Sequence, residues 1–171
     1  MRRAGALLAP IALLAALPVA LAGCGLEPMY AGGGSGAVAQ GLAAVEVAPI
    51  EGRVGWLVRN ALRDRLAQTG GTAAPRYRLD VLLDDELEGL GLLTDETVGR
   101  ERRTLRARYQ LVDTASGEIL LDATAGADAG IDVVSSEYAT IAAEQTALEN
   151  LAVEVADRIV TRLTLTLRAD S

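Results

Sequence analysis

The chain has 171 residues, half of them hydrophobic, with 23 acidic against 16 basic side chains and a net charge of −7. That acidity argues against a general nucleic-acid binder. The absence of histidine and lysine removes both a histidine triad and a Ser-x-x-Lys pair from consideration.

Met1-Arg2-Arg3 gives a short cationic start, and Ala4 to Leu21 is apolar, interrupted by Gly5, Pro10 and Pro18. This is the layout of a secretory signal; the two prolines count against the competing reading, a membrane-spanning helix of about 20 residues. The run closes on Leu21-Ala22-Gly23-Cys24, which contains the only cysteine and resembles the bacterial lipobox. In such a motif the cysteine sulfur takes a diacylglycerol, cleavage makes the cysteine the new N-terminus, and its amine takes a further acyl chain. One chain anchors marginally and several hold firmly. The sequence therefore predicts a cleaved signal over residues 1–23 and a lipid-anchored Cys24, with no other cofactor. In bacteria that retain lipoproteins in the inner membrane by an aspartate immediately after the cysteine, Gly25 permits export to the outer membrane.

Residues 24–42 are rich in glycine, centred on Gly32-Gly33-Gly34-Ser35-Gly36, and read as a flexible tether. The remaining stretch, 43–171, has the length of one domain. Ala43 to Ile50 alternates as a half-buried strand, and Pro49 marks it as an edge strand or as its end. Residues 53–68 place Val54, Leu57, Val58, Ala61, Leu62 and Leu66 on one helical stripe, stopped by Gly70-Gly71. Trp56 lies nearly opposite that stripe, as a partner or membrane contact or as a packing residue of the helix start.

Tyr77, Leu79, Val81 and Leu83 mark a second strand that runs into Asp84-Asp85-Glu86, and the glycine-containing stretch 89–99 follows. A third strand sets Leu105, Ala107, Tyr109 and Leu111 on one face and Arg102, Thr104, Arg106, Arg108 and Gln110 on the other. Asp113 to Gly117 reads as a hairpin loop, and 118–125 as the returning strand. Gly126 to Glu137 reads as a polar connection in which Ser135 or Ser136 can cap a helix. The last helix runs from Tyr138 to about Arg162; the alternating tail Leu163-Thr164-Leu165-Thr166-Leu167 leaves helix and strand both open. The order β-α-β-β-β-α predicts an α+β, two-layer sandwich: a four-stranded, mostly antiparallel sheet with two helices packed on one face.

The uncovered sheet face is the place to seek a site. Asp84-Asp85-Glu86 with Glu88 lacks the spacing of a calcium loop and reads more simply as a solvated strand end, so no metal site is expected. The glycine run neither follows a strand nor opens a helix, which excludes a phosphate loop. Arginine is the better lead. Arg102, Arg106 and Arg108, with Arg76 and Arg78 at the same parity on the neighbouring strand, are the candidate anion-binding residues, because guanidinium groups pair with phosphate. The alternative is cross-strand pairing with Asp80, Asp84, Glu118 and Asp122.

Cys24-Gly25-Leu26-Glu27-Pro28-Met29-Tyr30 resembles the opening of the lipopolysaccharide-assembly lipoproteins of the LptE family, in particular their alphaproteobacterial branch. Arg53-Val54-Gly55-Trp56-Leu57-Val58-Arg59-Asn60-Ala61-Leu62 is similar to that family's first helix, Tyr77-Arg78-Leu79 to its second strand and Tyr109-Gln110-Leu111-Val112-Asp113 to its third. Ser136-Glu137-Tyr138-Ala139 with Ala143-Glu144 and Ala147 is similar to the start of its last helix. The resemblance implies an outer-membrane, periplasm-facing lipoprotein without enzymatic activity. Its implied partners are an LptD-type β-barrel, which it plugs and helps assemble, and lipopolysaccharide, which it helps deliver to the outer leaflet. Two other readings stay open: a lipoprotein accessory of a lipid-transporting ABC system, and a periplasmic hydrolase holding a metal on the Asp84 to Glu88 stretch.

Overall fold

The computed structural model describes residues 36–70, 73–92 and 98–169. The elements are α1 (Ala37–Ala43), β1 (Val45–Val47), α2 (Gly52–Ala67), β2 (Tyr77–Leu92), β3 (Val98–Asp113), β4 (Ile119–Asp132) and α3 (Glu137–Ala169). The four strands form one sheet in the order β1-β2-β3-β4, with β1 parallel to β2 and the other pairs antiparallel. α2 crosses over from β1 to β2, the connection that parallel neighbours require. The expected α+β two-layer arrangement is what the chain adopts, with one helix more than expected: residues 37–42, expected within the tether, and Ala43, expected to open the first strand, form α1. This short helix packs on the end of α3, where Gly41 lies against Leu167.

β2, β3 and β4 are longer than periodicity predicts. β2 continues through the acidic stretch to Leu92 because β3 supplies a partner at each residue as far as Leu90 and again at Leu92, Asp84 standing opposite Arg106 and Glu88 opposite Arg102. β4 continues through Gly126, expected to begin a polar connection, as far as Asp132. Its inward positions there are Ala125, Ala127, Ala129 and Ile131, small enough for α3 to close over them; Ala127 and Ile131 are buried. Small residues weaken an isolated strand, so tertiary packing decides this segment.

α3 is capped at its start by Ser136, whose hydroxyl accepts from the Ala139 amide at 3.4 Å. It also resolves the open tail. Leu163 and Leu167 are buried and Leu165 is exposed, the spacing of a helix and not of a strand, in which all three would share a face. Leu151, Val155 and Ile159 continue that buried stripe toward the start of α3, in one core with Leu105, Tyr109 and Leu111 of β3 and with Val58 and Leu62 of α2; Leu148, further toward the start, is buried too. Gly55 is set by contact: a Cβ there would lie 2.6 Å from the Ile50 carbonyl oxygen. Gly55→Ala is therefore expected to destabilise the domain by about 1–3 kcal/mol, read from the urea midpoint, because the obstruction is backbone that cannot rotate away.

Candidate functional site: the outer face of the sheet

With both long helices on one side, the even-numbered residues of β2, β3 and β4 face outward together. The central row, on β3, carries Arg100, Arg102, Arg106 and Arg108. The row on β2 carries Asp80, Asp84, Glu86 and Glu88, and the row on β4 carries Asp122, Asp128 and Asp132. The face is thus a cationic stripe between two acidic ones.

Three of the five arginines singled out from the sequence are engaged there or nearby. Arg108 holds Asp122 through two bonds, Nε to Oδ1 at 3.2 Å and an Nη to Oδ2 at 2.9 Å, and Asp122 also accepts from Gln110 at 2.9 Å. These donors favour the carboxylate and hold the Asp122 pKa below its usual range. Arg78 turns along its own strand to Asp80 at 3.0 Å. Arg76 precedes β2 and serves the β3–β4 loop, bonding Asp113 at 3.2 Å and lying 5.0 Å over the Tyr77 ring. Arg100 pairs with Asp132 at 3.1 Å. Of the acids proposed as cross-strand partners, Asp122 is taken by an arginine of the neighbouring strand, whereas Asp80 is bound by Arg78 of its own strand; Asp84 and Glu118 make no ion pair among the described residues.

Arg102 and Arg106 have no ion-pair partner among the described residues. Arg106 lies against Gly126 on β4, where an added Cβ would come within 3.4 Å of the arginine Cγ. It borders a shallow hollow of about 510 Å³ shared with Leu82, Asp84, Thr104 and Asp128. Leu82 is 74% exposed, so the hollow combines a cation, hydroxyl groups and an uncovered aliphatic side chain.

Sequence parity places Arg103 on the inner face without a partner; the structure gives it one. Its guanidinium bonds Asp85 at 2.8 and 2.6 Å and donates to the Glu144 carbonyl of α3 at 3.2 Å, with the two side chains only 15% and 20% exposed. The pair pins the first half of α3 to the far end of the sheet. The clue in the sequence is the interruption of an apolar parity by a charge on two adjacent strands.

The hairpin loop contains a further electrostatic feature. Asp113 accepts from the amides of Ala115 at 2.9 Å and Ser116 at 3.3 Å, and then from Arg76, and these donors, in that order, hold its carboxyl below the ordinary value. A carboxyl depressed in the folded state binds fewer protons than in the unfolded chain, so its contribution is complete above the unfolded pKa of about 3.9 and disappears as pH falls through the folded value. The melting temperature of the wild type is accordingly expected to fall more steeply below about pH 4 than that of Asp113→Asn. Parallel acid limbs in thermal scans would contradict this assignment.

Among the described residues, no group of three or more His, Cys, Asp or Glu side chains is arranged to hold a metal ion, and no helix is long and apolar enough to cross a membrane. The sequence profile of the lipopolysaccharide-assembly family LptE matches residues 42–163. The chain belongs to the LptE family. No curated protein sequence matches it. Among solved structures, a candidate lipoprotein from Caulobacter crescentus CB15 superposes with a TM-score of 0.65 at 28% identity, over 80% of this chain and 98% of that one. A minor lipoprotein from Acinetobacter baumannii gives 0.56 at 16% identity, over 71% and 88% of the two chains. Rare lipoprotein B from Shewanella oneidensis gives 0.53 at 15%, over 71% and 92%. The last two share the fold. As a member of the LptE family, the chain is assigned to lipopolysaccharide assembly.

Proposed function

We propose that this LptE-family protein is an outer-membrane lipoprotein, held by acyl chains on Cys24, that seats inside an LptD-type β-barrel as a plug, assists the barrel's assembly and helps deliver lipopolysaccharide to the outer leaflet. Cys24 lies outside the described residues. The family match over residues 42–163 is the observation that carries the reading. The fold supports it: one face of the sheet is closed by helices, and the other is a broad polar surface of alternating charge, suited to the polar lumen of a large barrel. The role is non-catalytic, one of filling, positioning and handing over. Within it, Arg106 and Arg102 are assigned to the anionic groups of lipopolysaccharide, because Arg76, Arg78 and Arg108 are already committed to carboxylates.

Affinity purification of the tagged full-length protein from detergent-solubilised outer membranes tests this directly. Recovery of a near-stoichiometric large β-barrel is the expected result, and Arg106→Glu is then expected to weaken lipopolysaccharide retention without loss of the barrel. Recovery of an inner-membrane transporter in place of a barrel would overturn the plug reading.

A further inference from the structure

The two long edges of the sheet are finished differently. On the β4 edge, Arg158 of α3 reaches over to donate to the Gly126 carbonyl, and Glu154 holds the guanidinium in place. On the other edge, β1 pairs only with Tyr77, Arg78 and Leu79, and the bond from the Ala48 amide to the Leu79 carbonyl at 3.1 Å ends the ladder.

The Tyr77 amide also bonds toward β1, to Ala44. The odd-numbered residues of β2 therefore turn both backbone groups to this edge, and the even-numbered ones turn theirs to β3. The register with β3 is unbroken from Tyr77 to Leu90, so the alternation continues. Val81, Leu83, Asp85, Leu87 and Gly89 present their N–H and C=O groups to no strand among the described residues. Such an edge is a template for an added strand.

Its side chains define what can be added. Outward stand Asp84, Glu86 and Glu88, none in an ion pair among the described residues. Inward stand Leu83, Asp85, whose carboxylate is held by Arg103, and Leu87, which is 43% exposed; α3 packs over β3 and β4, and α2 over β1 and β2. The stretch contains no proline or lysine, two usual means of blunting an edge. Carboxylates blunt it selectively. A second copy pairing edge to edge would set acid against acid, which is unfavourable across strands. The chain's own segment 25–35 carries one charged residue, Glu27, of the same sign.

We propose that the β2 edge from Val81 to Gly89 docks an extended segment of another protein by strand addition. The incoming strand is basic at the positions beside Asp84, Glu86 and Glu88 and apolar at the alternate positions over Leu83 and Leu87. The inference does not rest on the barrel-plug function, and its test involves neither barrel nor lipopolysaccharide.

The experiment is residue-resolved amide hydrogen exchange on the full-length lipidated protein in detergent micelles. The probe is a synthetic peptide of about ten residues alternating Arg and Val, with a Glu–Val peptide as control. The Arg–Val peptide is expected to slow exchange at Val81, Leu83, Asp85, Leu87 and Gly89 by about tenfold or more, and to leave the even-numbered amides, already bonded to β3, unchanged. Doubly substituted E86K/E88K is expected to reverse the preference between peptides. Leu87→Pro removes an edge N–H while sparing the β3 ladder, so peptide binding should be lost with β3 protection retained. Odd-numbered amides already slow in the protein alone would mean that the chain closes its own edge, and slowing only at high protein concentration would mean that a second copy does. Either result, or no response to the Arg–Val peptide, overturns the proposal.

Discussion

Leu105→Ala is expected to cost the domain about 2–5 kcal/mol, whereas Arg106→Ala, one residue further along the same strand, is expected to change stability by less than about 0.5 kcal/mol. The contrast follows from the pleat. Leu105 is fully buried in the cluster that joins β3 to α3, so truncation loses its transfer free energy and leaves a cavity in a region already built from small residues, Ala127 opposite it among them. Such a site collapses poorly, because the α3 backbone would have to move as a unit. Arg106 projects from the other face, has no ion-pair partner among the described residues and gives up only the packing of its stem on Gly126. Urea unfolding of the full-length protein and both variants measures the two differences; equal shifts would mean that the strand's faces are misassigned, and with them the outer-face site.

The parity that supports this prediction was readable from the chain alone. Leu105, Ala107, Tyr109 and Leu111 alternate with charged and polar residues, and no other secondary structure gives that pattern. The α2 stripe was equally legible. What the sequence concealed lay where local preference and tertiary context disagree. Gly126 to Asp132 reads as a connection because alanine, glycine and aspartate are poor strand formers; it is a strand because β3 offers bonds on one side and α3 accepts only small side chains on the other. Asp84-Asp85-Glu86 reads as the solvated end of a strand, yet the arginine-rich stretch opposite keeps β2 paired to Leu92. The Leu163 to Leu167 tail carried two periodicities at once, and only burial of Leu163 with Leu167 separates them.

The candidate site was half legible for a related reason. Composition located the arginines, and parity put Arg78, Arg102, Arg106 and Arg108 on one face. Which of them are spoken for depends on register, which a single sequence does not encode locally. Asp122 lies opposite Gln110, within diagonal reach of Arg108, and captures it; Asp84 lies directly opposite Arg106 and does not. Arg76, grouped with the outer row by parity, precedes the strand and turns to the loop carboxylate of Asp113. Register thus reduces five candidates to Arg102 and Arg106 and exposes the β2 edge, which no periodicity reveals.

Cys24→Ala is expected to remove the protein from the outer membrane, with at least about a tenfold fall in its share of that fraction, and to abolish the mass increment of the acyl chains on the intact protein. Each buried CH₂ contributes about 0.8 kcal/mol, one chain holds marginally and several hold firmly, so a cysteine proposed to carry all the chains takes their whole contribution with it when it is lost. Among the described residues no helix can substitute as a membrane span. Shortening Gly32 to Gly36 is expected to be mild by comparison, because a Gly/Ser-rich linker, which is what the sequence predicts for these residues, sets only the local concentration of the domain near its partner, and that varies slowly with length. Density-gradient separation of membranes with intact-mass spectrometry reads both variants. A Cys24→Ala protein that stays in the outer membrane with unchanged mass would remove the lipid anchor from the account.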